Sequence, residues 1–324
     1  MKLLSIILPI YNVEEYLAKC FDSIYSQGVD ENMFEVIAVI DGSPDNCYEL
    51  ATNYAAKHTN LVVVNKENGG VSSARNNGIE VAKGKNIMFV DPDDTLYPDS
   101  LPQIINILNE KENDIIILRS FYEANELEVF PWKNKVPTGA TFTGIEIYEK
   151  GYARGSVCGV TYRKNFLCEN KLKFELHIKN SEDAIFFLQC QIKAQSVQFA
   201  DIKTYSIFVR ENSASQKMSI ERISLWFKAL EFLKDFKENK TKDIKEVSMA
   251  DGLTYSIISD ITKNSIKTMG ASAKKFLHSH NIKQYLPICK ENIKHSTRIH
   301  KIMKMIINSS FNLFYCISYV RYKK

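Results

Sequence analysis

The sequence lacks the cysteine and glycine patterns that mark several common classes of protein. Its seven cysteines are odd in number, widely scattered and never spaced as C-x-x-C, which argues against a disulfide framework and against a zinc cluster. No glycine occurs before Gly28. A sugar-phosphate nucleotidyltransferase or a dinucleotide-binding dehydrogenase would need a glycine-rich loop after its first strand, so both classes are disfavoured.

Long apolar segments are also missing. The N-terminus enters a strand pattern that ends at Pro9, without the apolar core and the small-residue cleavage site of a secretory signal. Towards the other end, polar residues such as Lys304 and Asn308 interrupt every run before it reaches the roughly 20 apolar residues that span a bilayer. We therefore expect a protein of the reducing cytoplasm.

Acidic residues are absent after Glu291. Seven Lys and Arg residues follow that position, and without them the net charge of +4 becomes −3. Apolar residues alternate with these bases, which predicts a basic amphipathic tail. Such a tail can lie on anionic lipid or pack on the protein with its lysines in water, and the sequence leaves both interpretations open. Nucleic-acid binding is not expected, because no groove-reading motif is present.

The first 118 residues show a regular alternation of apolar runs and helical patterns. The composition, 45% hydrophobic and 25% charged, is ordinary for a globular protein. Strands and helices are predicted, in chain order, at residues 3–10, 15–27, 34–40, 45–58, 61–64, 71–82, 86–90, 103–112 and 114–118. Helices of this length between strands predict right-handed crossovers and a mostly parallel sheet, with ligands at the carboxyl ends of its strands.

The pattern changes twice beyond residue 118. Residues 119–219 are less regular, and we expect them to add mixed helices and strands to the same domain, 1–219. From residue 220 onward apolar residues recur at helical spacing, for example Ile223, Phe227 and Leu230. We therefore predict a small helical C-terminal region, 220–324, that ends in the basic amphipathic tail.

Three carboxylates follow the predicted fourth strand within four positions: Asp91, Asp93 and Asp94. Acidic groups at the end of a buried strand repel one another unless a cation neutralises them. Mg²⁺ and Mn²⁺ are suited to the position, because hard cations prefer oxygen ligands and can bridge to phosphates. An ordinary turn before Pro98 is the alternative, since Asp and Pro are common in turns. Taken alone, the two interpretations are about even.

Five motifs in chain order resemble those of the family-2 glycosyltransferases. They span about residues 3 to 215 and are Ser5-Ile6-Ile7-Leu8-Pro9-Ile10-Tyr11-Asn12, Asp41-Gly42-Ser43, Asn68-Gly69-Gly70 through Ala74-Arg75-Asn76, Asp91-Pro92-Asp93-Asp94, and Ser181-Glu182-Asp183. Five motifs in order are far more specific than any one of them. The resemblance implies an α/β fold of the GT-A type, Rossmann-like, with a mostly parallel central sheet flanked by helices. It also implies a nucleotide-sugar half at about 1–118 and an acceptor half at about 119–219.

The resemblance assigns a nucleotide to the early motifs. An aromatic ring can stack on a base, and a carboxylate can accept from an imide N–H, which favours uracil over cytosine. The residues implied in nucleotide binding are Pro9, Tyr11, Asn12, Asp41, Gly70, Arg75, Asp91 and Arg210. Three of them have ordinary alternatives: a half-buried tyrosine for Tyr11, a solvated helix arginine for Arg75 and a surface Arg–Glu pair for Arg210.

The same resemblance assigns metal binding and proton transfer to the last two motifs. Asp93, aided by Asp91, would hold Mn²⁺ or Mg²⁺, and the ion would stabilise charge on a leaving diphosphate. Asp94 ranks below both as a ligand. Asp183 would accept the proton of the acceptor hydroxyl, and Glu182 would contact or orient the acceptor. Both acids would also be explained as first-turn residues that complement a helix dipole.

The function implied is inverting transfer of one hexosyl or N-acetylhexosaminyl group from a UDP-sugar to a hydroxyl group. The acceptor would be a saccharide or a lipid-linked saccharide in surface polysaccharide or glycolipid assembly, with peripheral contact to the inner membrane surface as an open option. The rival is a catalytically degenerate subunit that only binds. Such a subunit would be expected to have lost the metal or base carboxylates, and Asp93 and Asp183 are both present.

Overall fold

The computed structural model describes residues 2–129, 137–151, 155–209, 218–294 and 296–322 of the 324-residue chain. It divides into two compact units. The first unit comprises Met1–Ile147, Arg154–Leu176 and Gln189–Arg210, and the second comprises Tyr148–Ala153, His177–Leu188 and Glu211–Lys324. Two short segments that precede residue 219 therefore belong to the second, mainly helical unit.

Nine strands form one sheet within the described residues. They are β1 (Leu4–Ile10), β2 (Phe34–Asp41), β3 (Leu61–Lys66), β4 (Asn86–Phe89), β5 (Thr95–Leu96), β6 (Ile115–Tyr122), β7 (Thr141–Phe142), β8 (Val160–Arg163) and β9 (Val197–Ile207). Their order across the sheet is β3-β2-β1-β4-β8-β6-β9-β5, and β7 pairs with β9.

Helices account for most of the remaining described chain. They are α1 (Glu14–Tyr25), α2 (Cys47–Ala55), α3 (Val71–Val81), α4 (Ser100–Glu110), α5 (Gly144–Glu149), α6 (Lys164–Glu169), α7 (Glu182–Lys193), α8 (Ile220–Asn239), α9 (Ile244–Met269), α10 (Ala273–Ser279), α11 (Lys290–Lys294), α12 (Arg298–Ser309) and α13 (Phe311–Tyr322), with 3-10 turns at Gly270–Ser272 and Ile282–Tyr285.

The strand directions confirm the predicted fold class. Strands β3, β2, β1 and β4 pair in parallel, as the alternation of strands and helices predicted. Strand β8 runs antiparallel between β4 and β6, which therefore share one direction, and β9 is parallel to β6. Six of the nine strands run the same way. The sequence did not reveal β5, β7, β8 or β9. Strands of two to four residues carry too little periodicity, and β9 lies in the segment that we expected only to add mixed helices and strands.

The core of the first unit lies on both faces of β1 and β2. Every residue of these two strands is buried, which is typical of parallel strands covered by helices on both sides. Helix α1 contributes Leu17, Phe21 and Ile24 at helical spacing. Helix α3 approaches β1 so closely that a Cβ on Gly78 would lie 2.3 Å from Ile7 Cγ2.

The second unit confirms the predicted helical C-terminal region. Helices α8 and α9 are its longest elements, and each begins at a capping side chain. Ser219 accepts a hydrogen bond from the Arg222 N–H, and Asp243 accepts from the N–H groups of Lys245 and Glu246. Among the described helices, none combines the length and the apolar character that crossing a bilayer requires.

Candidate functional site

The carboxyl ends of the parallel strands in the first unit meet at one edge of the sheet. Asp41 is the last residue of β2, Gly69 and Gly70 connect β3 to α3, and Asp91 follows β4. Open α/β sheets bind ligands at this edge. The fold therefore brings these three motifs together in the first unit, and the motif that ends β1 is a fourth in the same unit.

Asp41 organises the turn that precedes α3. It is only 2% exposed, and its carboxylate accepts hydrogen bonds from Lys66 Nζ at 2.6 Å, from the Gly69 N–H at 2.9 Å and from the Gly70 N–H at 2.7 Å. These three donors belong to the protein itself. A contact between Asp41 and a uracil ring stays a prediction, whereas its bonds to the glycine turn are a feature of the structure.

The glycines next to Asp41 are required by the backbone. Gly42 has φ +63°, and a Cβ there would lie 2.7 Å from the Asn68 backbone nitrogen. Asn68 in turn donates from Nδ2 to the Asp41 carbonyl at 2.8 Å. Gly70 has φ +83°, a conformation that residues with a Cβ rarely adopt. The end of β2 and the turn after β3 therefore lie close together and are joined by the side chains of Asp41 and Asn68.

The end of β1 presents an aromatic ring at the same edge. Pro9 is buried within β1, whereas Tyr11 is half exposed, so one part of its ring is open to a stacking partner. Asn12 takes φ +53°, and its N–H donates to Ser43 Oγ at 2.8 Å. This bond ties the turn after β1 to the turn after β2.

Arg75 is buried against Asp91 and is not a solvated surface arginine. Its side chain is 3% exposed, and Nη2 lies 3.0 Å from Asp91 Oδ1. The guanidinium also lies 5.2 Å from the centre of the Phe174 ring, where a cation is attracted by the aromatic face. Cys158 donates from Sγ to Asp91 Oδ2 at 3.4 Å, and the Asp91 N–H donates to the Tyr205 hydroxyl at 2.8 Å.

Asp94 is the most buried of the three clustered acids. Its Oδ1 accepts the Phe208 N–H at 2.8 Å, which anchors the residues after β9. Burial, together with the charges of Asp91 and Asp93, raises the pKa of Asp94 to about 8. Burial and the same three carboxylates also raise the pKa of the Cys20 thiol well above its usual range. The cluster thus concentrates negative charge that a cation would relieve.

The acids fit a divalent ion that is completed by a substrate. Among the described residues, no group of three or more His, Cys, Asp or Glu side chains is arranged to hold a metal ion. Mg²⁺ is usually held by one or two carboxylates together with substrate phosphates rather than by an all-protein cage. The oxygen donors of Asp91 and Asp93 are therefore chemically suited to Mg²⁺ or Mn²⁺ that arrives with a nucleotide diphosphate.

Glu182 and Asp183 lie in the first turn of α7, in the part of that helix that belongs to the second unit. The preceding Ser181 has φ +68°, and its Oγ accepts a hydrogen bond from Trp226 Nε1 at 3.1 Å. Burial lowers the pKa of the Arg222 guanidinium, against the opposing effect of Glu182. The two acids are thus held at a helix start whose geometry is fixed by α8.

Several contacts at the sheet edge were not found from the sequence. Cys158 and Tyr205 reach Asp91 from distant positions in the chain, and no local motif indicated them. Lys66 had a weak signal, because it ends β3 two residues before the Asn68-Gly69-Gly70 motif. Arg210, predicted to bind nucleotide, lies outside the described residues.

Comparison with known proteins places these features in a family. Residues 5–173 match the profile of the family described as Glycosyl transferase family 2. The Minor teichoic acid biosynthesis protein GgaB of Bacillus subtilis (strain 168) is 31% identical over 228 residues, which covers 69% of this chain and 25% of that protein. The Poly(ribitol-phosphate) beta-glucosyltransferase of Bacillus spizizenii is 28% identical over 212 residues, covering 64% and 32%. The matches thus span a quarter to a third of these two relatives.

Solved structures share the fold. The structure of S. aureus TarS 1–349 has a TM-score of 0.71 and 17% sequence identity, and the match covers 100% of this chain and 90% of TarS 1–349. The same protein in complex with UDP-GlcNAc gives a TM-score of 0.69 at 18% identity, with the same coverage. A mannosyltransferase of Pyrobaculum calidifontis in complex with GDP-Man and Mn²⁺ gives 0.54 at 14% identity, covering 94% of this chain and 86% of that one.

Proposed function

Because this chain belongs to glycosyl transferase family 2, we propose that it transfers one sugar from a UDP-sugar to an acceptor hydroxyl with inversion at the anomeric carbon. The observation that carries the proposal is the meeting, at one sheet edge, of the glycine turn held by Asp41 and the acids beside Arg75. The UDP-GlcNAc complex of TarS, which has the same fold, supports a UDP-linked donor.

The donor would lie along this edge. The exposed part of the Tyr11 ring offers a stacking surface for the uracil. The turn at Gly69 and Gly70 has no side chain, so its backbone can approach a diphosphate closely. Arg75 keeps a positive charge next to Asp91, which limits the repulsion between the acidic cluster and an anionic substrate.

The transfer would be a single displacement. The acceptor oxygen forms a bond to the anomeric carbon as the bond from that carbon to the diphosphate oxygen breaks, and the electron pair leaves with UDP. Asp183, in the role the family resemblance gives it, takes the proton from the acceptor hydroxyl, and Glu182 orients the acceptor. A divalent ion, Mn²⁺ or Mg²⁺, held by Asp93 with Asp91 would supply Lewis acidity to the departing diphosphate.

For the acceptor, we propose a chemical class and not a particular compound. The two relatives named above are described by teichoic acid biosynthesis and by glucosyl transfer to poly(ribitol-phosphate). These names support an acceptor hydroxyl on a cell-surface polymer and a hexose as the transferred group. The UDP-GlcNAc complex of TarS supports an N-acetylhexosamine as the other option, and a saccharide or lipid-linked saccharide of such a polymer is the acceptor that we propose. We propose that the reaction takes place on the cytoplasmic side, where nucleotide sugars are made.

A donor screen tests the proposal. The purified full chain is incubated with a panel of UDP- and GDP-sugars in the presence of Mn²⁺, and release of the free nucleotide is measured with and without oligosaccharide acceptors. We expect turnover with at least one UDP-sugar, and Asp183→Asn should lower acceptor-dependent turnover by about 10²–10⁴-fold. The control Glu80→Gln changes an exposed carboxylate that pairs with Lys173 and should leave turnover unchanged. Turnover confined to GDP-sugars would overturn the donor assignment.

A degenerate binding subunit remains the rival function. It would bind UDP through the same sheet edge but release no nucleotide with any donor or acceptor. Retention of Asp93 and Asp183 favours the enzyme. A protein that binds UDP with Mn²⁺ yet gives no turnover across the whole panel would favour the rival.

A further inference from the structure

Helix α12 buries Lys304 beside Ile307 and leaves other apolar residues outward. Lys304 is buried, whereas Ile299, Ile302 and Met305 are 67%, 47% and 50% exposed. These three apolar residues recur at intervals of three, so they share one side of the helix. A surface helix normally turns its whole apolar stripe towards the core and keeps its lysines in water. The arrangement therefore needs a cause that holds the helix in this rotation.

Hydrogen bonds to the rest of the second unit supply that cause. Lys304 Nζ donates to Asn292 Oδ1, and it donates to Ser296 Oγ at 2.8 Å. One turn further on, Asn308 exchanges two bonds with the Ile288 backbone, at 2.8 and 2.7 Å. Lys304 and Asn308 are four residues apart and lie on the same face. Buried polar groups are costly unless bonded, so these bonds hold Lys304 and Asn308 on the inner side and leave Ile299, Ile302 and Met305 on the outer side.

Helix α13 also exposes apolar residues. Its inner face buries aromatic side chains, among them Phe311 and Phe314. On the outer side, Leu313, Ile317 and Val320 are 52%, 36% and 80% exposed, at a spacing of four and three residues that places them on one face. The last two helices thus each present an apolar strip to the surroundings.

The positive charge of this segment indicates which kind of surface the two apolar strips would contact. No Asp or Glu follows Glu291, and Lys294, Arg298 and Arg321 are exposed among the described residues of this segment. We propose that α12 and α13 form a docking surface for an anionic lipid bilayer, on which both helices lie with their apolar strips in the interface. A second copy of this chain fits less well, because a two-fold contact would set one acid-free basic segment against its equal.

The proposal goes beyond sugar transfer and does not depend on it. It concerns how the protein is held near lipid, and its readout is lipid binding. Release of nucleotide from a UDP-sugar in free solution, measured in parallel, separates the two: loss of lipid binding with unchanged turnover concerns the helices alone, and the reverse concerns the proposed function alone.

A flotation assay with the full chain tests the apolar strips. Vesicles of equal parts phosphatidylglycerol and phosphatidylcholine are compared with vesicles of phosphatidylcholine alone. We expect binding to the anionic vesicles, reduced more than about tenfold in the triple variant Ile299→Ser, Ile302→Ser, Met305→Ser, because three inserted side chains are lost. A matched triple variant, Leu127→Ser, Ile220→Ser, Ile244→Ser, changes similarly exposed residues elsewhere and should bind as the natural protein does.

The same flotation assay tests the basic residues with two double variants, each of which removes two positive charges. Arg298→Gln with Lys301→Gln should weaken binding to the anionic vesicles by about fivefold for each base removed, and added salt should reduce the difference. Lys83→Gln with Lys85→Gln removes two exposed bases elsewhere and should have little effect. Circular dichroism of all variants checks that each is folded.

Three outcomes would overturn the proposal. The natural protein could fail to float with anionic vesicles. The two triple variants could lose binding equally, which would remove α12 from the contact. Sedimentation velocity could show a dimer that the α12 triple variant alone dissociates, and the strips would then be covered by a second copy of the chain.

Discussion

The sheet edge of the first unit and the last helices of the second unit both bury a cationic side chain, but they surround it differently. Arg75 lies against the carboxylate of Asp91, whereas Lys304 bonds the neutral side chains of Asn292 and Ser296. An opposite charge favours the ionised form of a buried group, while neutral partners leave much of its desolvation cost in place. The first arrangement preserves charge at a ligand-binding edge, and the second sets the rotation of a helix.

Removing an acid from the sheet edge should separate activity from stability. In Asp93→Ala the proposed metal position loses a carboxylate, and we expect sugar transfer to fall about a thousandfold, since such an ion stabilises the transition state by several kcal/mol. Repulsion with Asp91 and Asp94 also falls, so the free energy of unfolding should stay equal or rise. Steady-state turnover and urea denaturation of the same preparation measure both. A variant that loses stability along with activity would contradict the role given to the cluster.

Breaking the ion pair of the buried Arg75 with the partly exposed Asp91 should cost stability. In Arg75→Met, Asp91 loses its cationic partner, and the free energy of unfolding should fall by about 3 kcal/mol. Lys173→Met removes one member of an exposed pair with Glu80 and should cost less than about 1 kcal/mol. Urea titrations of the two variants check the contrast, and equal losses would show that burial of the Arg75 pair contributes nothing special.

Substitution of Asp41 should change stability and donor binding by an intermediate amount. In Asp41→Asn, an amide nitrogen that cannot accept a hydrogen bond replaces one carboxylate oxygen, so the Gly70 N–H, or Lys66 with the Gly69 N–H, loses its acceptor. We expect a loss of about 1–3 kcal/mol in unfolding free energy, and a KM for the donor that rises more than kcat falls, because the turn is positioned less well. A change in kcat alone would argue that Asp41 acts on the reacting atoms instead of on the turn.

The smallest expected effect is the pH dependence of the second unit. Burial lowers the pKa of Lys304 to about 8, against the opposing effect of Asp251 and Cys289, whereas a lysine in the unfolded chain has a pKa of about 10.4. Between these values the unfolded chain binds more protons, so stability rises with pH across that window. The difference in unfolding free energy between the natural protein and Lys304→Met should therefore shift in favour of the natural protein from pH 7.5 to 9.5, on the order of 1 kcal/mol.

The control for this test lies at the protein surface. Lys274→Met removes an exposed lysine of the same unit, and its difference from the natural protein should not change over the same pH range. A flat profile for Lys304→Met would show that the Asn292 and Ser296 bonds keep Lys304 as easily protonated as a lysine in water.

Sequence patterns predicted the elements that carry strong periodicity or a family motif. Strand β1 was expected at 3–10 and is found at Leu4–Ile10. Strand β8 was not expected, because four residues are too few to give a clear signal, although it runs against its neighbours in the middle of the sheet. Local pattern thus predicts elements, while the way they pair depends on contacts between distant segments.

The same limit holds for the candidate site. The motifs identified Asp41 and Asp91, but not that Lys66 and Cys158 would be their partners, because a side-chain contact across the sheet leaves no mark in local sequence. The tail shows the limit most clearly. Its pattern left lipid contact and packing on the protein both open, and it did not indicate that Lys304 would be buried and bonded to Asn292 and Ser296.

We propose that the clustered acids at the sheet edge are neutralised by a divalent ion together with a nucleoside diphosphate. Titration calorimetry of UDP into the full chain, with and without Mn²⁺, tests it directly. We expect UDP to bind tightly only when Mn²⁺ is present, and Asp93→Ala to remove the effect of the metal. Equal UDP affinity with and without Mn²⁺ would contradict the account.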